Sequence, residues 1–315
     1  MRRLGLRIAI TGAAGFVGRP LARLLSASGY EVVGVVRSEG SGSEVLADGG
    51  RAFVAPGLVG GSLANAFAGC RAVVHLAQIG SEEGDATYES VNVAGTRAVA
   101  EAALAASVPR VVVFSGLGVA RIGQKPRCTN RYFLSKLEAE VELFRSGLEI
   151  VVFRPSFIVG PGNAFVTDLV REIESGEVER PGDGAYRLQP IAVRDAAALV
   201  LAALERKAPP PMHGGGSAPL VYDLVGNEPV SYQQLLERVA AVAHAHGRGG
   251  ELRVREVSLA DADAQARAGG WHGMAPDVLD CLLCDEISDA APLEALLGRF
   301  LIPLDEALAA AAGRS

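Results

Sequence analysis

The stretch RIAITGAAGFVGRPLARLL, residues 7–25, decides the fold. It opens on a short β-rich run, breaks at Gly12, and passes through Gly15 and Gly18 into a helical apolar pattern carried by Leu21, Leu24 and Leu25. In a chain with 38 glycines three at this spacing mean little alone; the strand before them and the helix after them give them meaning. A tight turn without side chains lets backbone amides and a helix N-terminus approach a pyrophosphate. Thr11, Gly12, Gly15, Phe16, Val17 and Gly18 are therefore the expected contacts of a dinucleotide.

Working outward, the runs EVVGVV, RAFVA, AVVHLA, RVVVFS and EIVVFRP alternate with helical segments such as VNVAGTRAVAEAALAAS. That rhythm predicts βαβ units. The strands lack an apolar/polar alternation, as expected when helices cover both faces, so the fold class is α/β with a doubly wound parallel sheet. After RPSFIVGPGN the rhythm breaks into Gly- and Pro-rich loops. The expected division is a dinucleotide-binding domain of residues 1–158 plus 187–226, and a smaller C-terminal lobe of 159–186 plus 227–315. The HGGG run at 213–216 has no GxSxG nucleophile elbow to serve and is read as a linker.

Composition narrows the classes. The 315 residues, 49% hydrophobic and 21% charged, suffice for one large domain and a smaller lobe. A net charge of −6 has the wrong sign for gripping a phosphate backbone, and no Lys/Arg-rich run offsets it, which argues against nucleic acid as a partner. The longest apolar run, AAALVLAAL at 196–204, falls short of the roughly 20 residues that cross a bilayer. The basic-then-apolar start MRRLGLRIAITG is only strand length and is read as the first strand, not a signal peptide. Four cysteines, Cys70, Cys128, Cys281 and Cys284, make no disulfide framework, so a cytoplasmic location is expected. The lone CxxC of Cys281 and Cys284 lacks the further ligands of a zinc site; no metal is expected, and the pair is read as a helix face.

The stretch NRYFLSKLEAEVE, residues 130–142, places Tyr132 four residues before Lys136 in a chain with only three lysines. On a helix these share a face, and an ammonium beside a phenol favours its ionised form. With the GxxGxxG loop preceded by Thr11, the pair resembles the extended short-chain dehydrogenase/reductase superfamily. The resemblance implies that the tyrosine exchanges a proton with the substrate oxygen while the lysine also holds the nicotinamide ribose. The third member is usually a hydroxyl just beyond the fifth strand. In RVVVFSGLGVAR that position holds Leu117, and Ser115 is the nearby hydroxyl.

The same resemblance extends to other segments. Arg37 and Ser38 in GVVRSEG stand where an acidic residue would select NAD(H), which favours NADP(H), and Gly57 stands where an adenine-binding aspartate is usual. Leu76 and Ala77 in HLAQIG, Asn92 in VNVAGTRAVAEAAL, and Pro155 and Ile158 in FRPSFIVGPGN match cofactor-lining segments; His75 is not read as a general base. RLQPIAV together with FSGLG looks like the atypical branch related to the mitochondrial complex I accessory subunit. The implied function is an NADP(H)-dependent oxidoreductase acting on a carbonyl or alcohol of a small-molecule substrate. Two alternatives stand beside it: a non-catalytic NADP(H)-binding protein presenting its lobe to a protein partner, and a nucleotide-sugar epimerase or dehydratase with Arg187 on a substrate phosphate. Substrate identity and any homo-oligomer are not legible in the sequence.

Overall fold

A computed structural model of the chain describes residues 5–60, 62–206, 218–248, 251–269 and 275–313. The HGGG run at 213–216, Trp271 and His272 lie outside the described residues. Six strands follow the sequence runs: β1 (Arg7–Thr11), β2 (Glu31–Val36), β3 (Arg51–Val54), β4 (Cys70–His75), β5 (Arg110–Phe114) and β6 (Glu149–Pro155). Between them lie α1 (Gly18–Ala27), α2 (Glu39–Ala47), α3 (Leu63–Phe67), α4 (Ala94–Ala105) and α5 (Arg131–Arg145).

The sheet runs β6-β5-β4-β1-β2-β3, with the strand Leu220–Leu224 added beside β6. The pairs among β1 to β6 are all parallel. Strand order reverses between β1 and β4, and the crevice outside the strand carboxyl ends at such a point is where doubly wound sheets take ligands. The strands read as continuous apolar runs because both faces are covered: Val73, Val111 and Val152 pack with Val99 and Ala103 of α4, while α1 buries Leu21, Ala22 and Leu25.

The chain divides into two compact units, the first comprising Met1–Val119, Arg131–Arg154 and Ala196–Tyr222 and carrying most of this sheet. The second comprises Ala120–Asn130, Pro155–Asp195 and Asp223–Ser315. The lobe expected from the sequence lies within it, and residues 120–130, 155–158, 187–195 and 223–226 join that unit as well. Its core is built on the helices Ala164–Ser175, Tyr232–Ala245 and Leu304–Ala312, through Leu169, Val170, Leu236 and Leu308. Asp195, fully buried, accepts from Arg299 and from the Ile302 amide, each at 2.6 Å, and so ties the C-terminal segment to this core. Among the described residues no helix is long and apolar enough to cross a membrane.

One buried line of hydrogen bonds joins β1, β4 and α4 at the switch point. Thr96 donates its hydroxyl proton to the Asn92 carbonyl at 2.5 Å, so the His75 ring donates from Nε2 to Thr96 Oγ1 at 3.0 Å. Nδ1 is then the acceptor, taking the Thr11 hydroxyl proton at 2.7 Å, while Thr11 Oγ1 accepts from the Ala77 amide at 3.4 Å. Both ring nitrogens are occupied in the neutral tautomer. Burial, with the Lys136 charge adding to it, lowers the His75 pKa from 6.5 to about 3.

This sets an acid limit on stability. Unfolded, His75 takes up a proton near pH 6.5; folded, it does so only near pH 3, so between those values the unfolded state binds more protons and stability falls as pH falls. The slope from this one group reaches about 1.4 kcal/mol per pH unit. Urea unfolding at stepped pH should therefore show a shallower acid slope in His75→Gln, which keeps a donor and an acceptor without titrating. Equal slopes would contradict the buried neutral assignment.

Candidate functional site

The turn after β1 is closed on itself. Gly12 has φ +71°, and a Cβ there would lie 2.9 Å from the Ala77 amide nitrogen and 3.0 Å from the Leu76 carbonyl carbon. Leu76 and Ala77 are thus the wall against which the loop leans, and the Leu76 amide donates to Thr11 O at 3.1 Å. The Gly15 amide donates to Gly12 O at 3.0 Å, and a Cβ at Gly18 would stand 2.2 Å from that same carbonyl oxygen. Phe16 and Val17 carry the chain from this turn into α1. That helix begins without a side-chain cap and without an acidic residue in its first turn; Arg19 N–H already donates to Gly15 O and Pro20 has no N–H, so what it offers an anion is its positive dipole end and the turn leading into it. A side-chain-free cradle ending at an uncapped helix fits a pyrophosphate.

Tyr132 stands in the first turn of α5, half-buried, its ring 5.9 Å from that of Tyr88 and 5.4 Å from that of Phe133. Lys136 lies one turn later and is only 3% exposed. Its Nζ sits 5.7 Å from the Tyr132 ring centroid and donates to Phe114 O at 3.4 Å. A cation held out of water beside a phenol stabilises negative charge developing on it. Two glycines after β5 let α5 approach this closely: a Cβ at Gly118 would meet the Phe133 ring at 2.2 Å, and one at Gly116 would meet it at 3.3 Å.

Leu117 is fully buried at the start of a 3-10 turn and brings no hydroxyl. Ser115 is 2% exposed, its Oγ has no hydrogen-bond partner among the described residues, and it lines the same pocket as Lys136, Asn92 and His75. An unpaired buried hydroxyl is costly unless something else satisfies it, and such positions concentrate where ligands bind.

Asn92 lies in a π-helical turn, Tyr88–Val93, that leads into α4. Its Oδ1 accepts from the Ile79 amide at 2.9 Å, and its Nδ2 donates to Ile79 O and to Ser135 Oγ, both at 3.1 Å. Ser135 in turn donates to Tyr132 O at 2.7 Å. Sequence reasoning passed over Ser135 and Thr96. Thr96 carried a usable signal, since it follows Asn92 by four residues and shares its helix face; Ser135 carried none.

At the end of β2, Arg37 is exposed and makes no hydrogen bond or ion pair among the described residues. Ser38 is the N-cap of α2, its side chain accepting from the Ser41 amide at 3.4 Å. Pro155 ends β6, and Ile158 begins the two-residue strand Ile158–Val159; both belong to the second unit.

Known proteins resemble the chain in sequence and in fold. A ketoreductase of Stigmatella aurantiaca, named for a 4-hydroxy-2-methyl-3-oxo-4-farnesyl-3,4-dihydroquinoline-1-oxide, is 27% identical over 289 residues, 86% of this chain and 82% of that protein. A 2-alkyl-3-oxoalkanoate reductase of Stenotrophomonas maltophilia is 27% identical over 264 residues, 76% of each chain. In fold, the chain is similar to UDP-glucuronic acid 4-epimerase of Bacillus cereus solved with UDP-glucuronic acid and NAD, at a TM-score of 0.72 with 18% identity and 98% of each chain covered. The model of the NAD dependent epimerase/dehydratase family matches residues 8–213, more than half of the chain, and the chain belongs to that family.

Proposed function

We propose that the protein is an NADP(H)-dependent oxidoreductase acting on a carbonyl or alcohol carbon of a small-molecule substrate, with Tyr132 transferring the proton. The observation that carries this reading is the buried Lys136 ammonium 5.7 Å from the Tyr132 ring, on the same helix face. When bound, the dinucleotide supplies or accepts the hydride. Gly12, Gly15 and Gly18 with the positive end of α1 would hold its pyrophosphate, and Lys136 its ribose. Arg37, exposed and without a partner among the described residues, takes the 2′-phosphate. Ser115 donates to the substrate oxygen in the role that Leu117 cannot fill, and Tyr132 delivers or removes the proton at that oxygen.

Two relatives whose names describe the reduction of oxo compounds support the oxidoreductase reading over a non-catalytic one. An epimerase would use the same tyrosine and lysine but return the hydride to its own substrate, leaving no net change in the dinucleotide. Net consumption of NADPH against a panel of oxo compounds separates the two.

With a compound from that panel that is turned over, Tyr132→Phe should lower kcat by about 10²–10⁴-fold. An unchanged kcat would assign the proton to another group. Arg37→Ala should weaken NADPH by about tenfold or more and leave NADH nearly unaffected, as read by titration of each dinucleotide. Equal weakening of both would remove Arg37 from the 2′-phosphate.

A further inference from the structure

Cys128 and Cys284 stand far apart in sequence and meet in the second unit. Their sulfurs lie 2.7 Å apart, both residues are free thiols, and they are 0% and 2% exposed. A disulfide bond measures about 2.05 Å, so the sulfurs need close by less than about 1 Å to bond. In the sequence the CxxC of Cys281 and Cys284 reads as one helix face. In the structure Cys281 lies within the helix Pro276–Leu282 and donates to Asp277 O at 3.2 Å, whereas Cys284 lies past the helix end, against Cys128.

The surroundings hold the two thiols together independently of any bond between them. Arg127, next to Cys128, grips Asp263 through both guanidinium nitrogens at 3.0 and 3.1 Å and reaches Asp280 at 2.6 Å. Asn130 donates to Asp277 O at 3.1 Å and to Asp280 at 3.3 Å. Arg121 donates to Ile287 O at 2.8 Å, and Lys125 pairs with Asp285 at 3.5 Å. Residues 120–130 are thus fastened along their length to the segment 263–287, with the thiol pair within that contact. The same residues lead the chain into α5, and Cys128 precedes Tyr132 by four positions.

We propose that Cys128 and Cys284 form a reversible disulfide that clamps residues 120–130 onto the C-terminal segment. The oxidant is a low-molecular-weight disulfide. One cysteine thiolate attacks it and releases the first small thiol, and the second cysteine attacks the mixed disulfide at the protein sulfur and releases the other. The two protein thiol protons end on the two released thiols, the protein sulfurs are oxidised, and the small disulfide is reduced. Burial raises both thiols above their ordinary pKa, so exchange is slow and awaits local opening of the segment.

The test equilibrates the full chain in glutathione buffers from fully reduced to fully oxidised, alkylates under denaturing conditions, and maps peptides without reduction. A peptide pair joined through Cys128 and Cys284, lighter by two hydrogens, should accumulate toward the oxidised end, persist in Cys281→Ser and vanish in Cys128→Ser. In undenatured aliquots from the same buffers trypsin should cut within residues 121–131 several-fold more slowly after oxidation of the native chain, and at an unchanged rate in Cys128→Ser. A Cys281–Cys284 link, or a Cys128 that stays fully alkylatable in the oxidised buffer, overturns the pairing. An unchanged cleavage rate in the linked native chain overturns the clamp.

Discussion

The close approach of the turn after β1 to the end of β4 is the constraint on which the site depends. Gly12 meets it with a left-handed backbone and no Cβ, and Gly18 lets α1 start almost in contact with the Gly12 carbonyl. A side chain at either position would push the helix terminus away from the crevice at the switch point. Because the turn lies so close to β4, Thr11 can reach His75 and fasten the two strands through a side chain as well as through their ladder.

From that seam the order extends outward through uncharged groups. His75 hands the line to Thr96 and Asn92, Asn92 to Ser135, and Ser135 to the backbone of Tyr132. A neutral imidazole suits this place better than a charged one, since Lys136 already brings a cation into the same buried region. Tyr132 and Lys136 are therefore held with reference to the glycine loop after β1 and not only by their own helix. The glycines after β5 complete the arrangement by admitting the Phe133 ring beneath the first turn of α5.

Much of this was legible because its signals are local. The six strands β1 to β6 follow the apolar runs, since a strand covered on both faces leaves an uninterrupted trace in sequence. The glycine loop and the Tyr132–Lys136 spacing were visible for the same reason. What stayed hidden depends on distant partners. Residues 120–130 lie between β5 and α5 and would be assigned with them, yet Arg127 finds its carboxylates 136 and 153 residues away. Ser135 reads as one more polar residue until Asn92 arrives beside it, and Cys284, read with Cys281 as a helix face, meets Cys128 156 residues away. That Ser115 is buried in one pocket with Lys136 is visible only in the fold.

The loop from Gly12 to Gly18 is proposed to hold a nicotinamide dinucleotide at the switch point. Calorimetric titration of NADPH and NADH into the native chain and into Gly12→Ala tests it most directly, with circular dichroism to verify that the variant keeps its fold. One dinucleotide should bind per native chain, and that binding should be lost in the folded variant. Absence of binding to the native chain, or equal affinity in the variant, would contradict it.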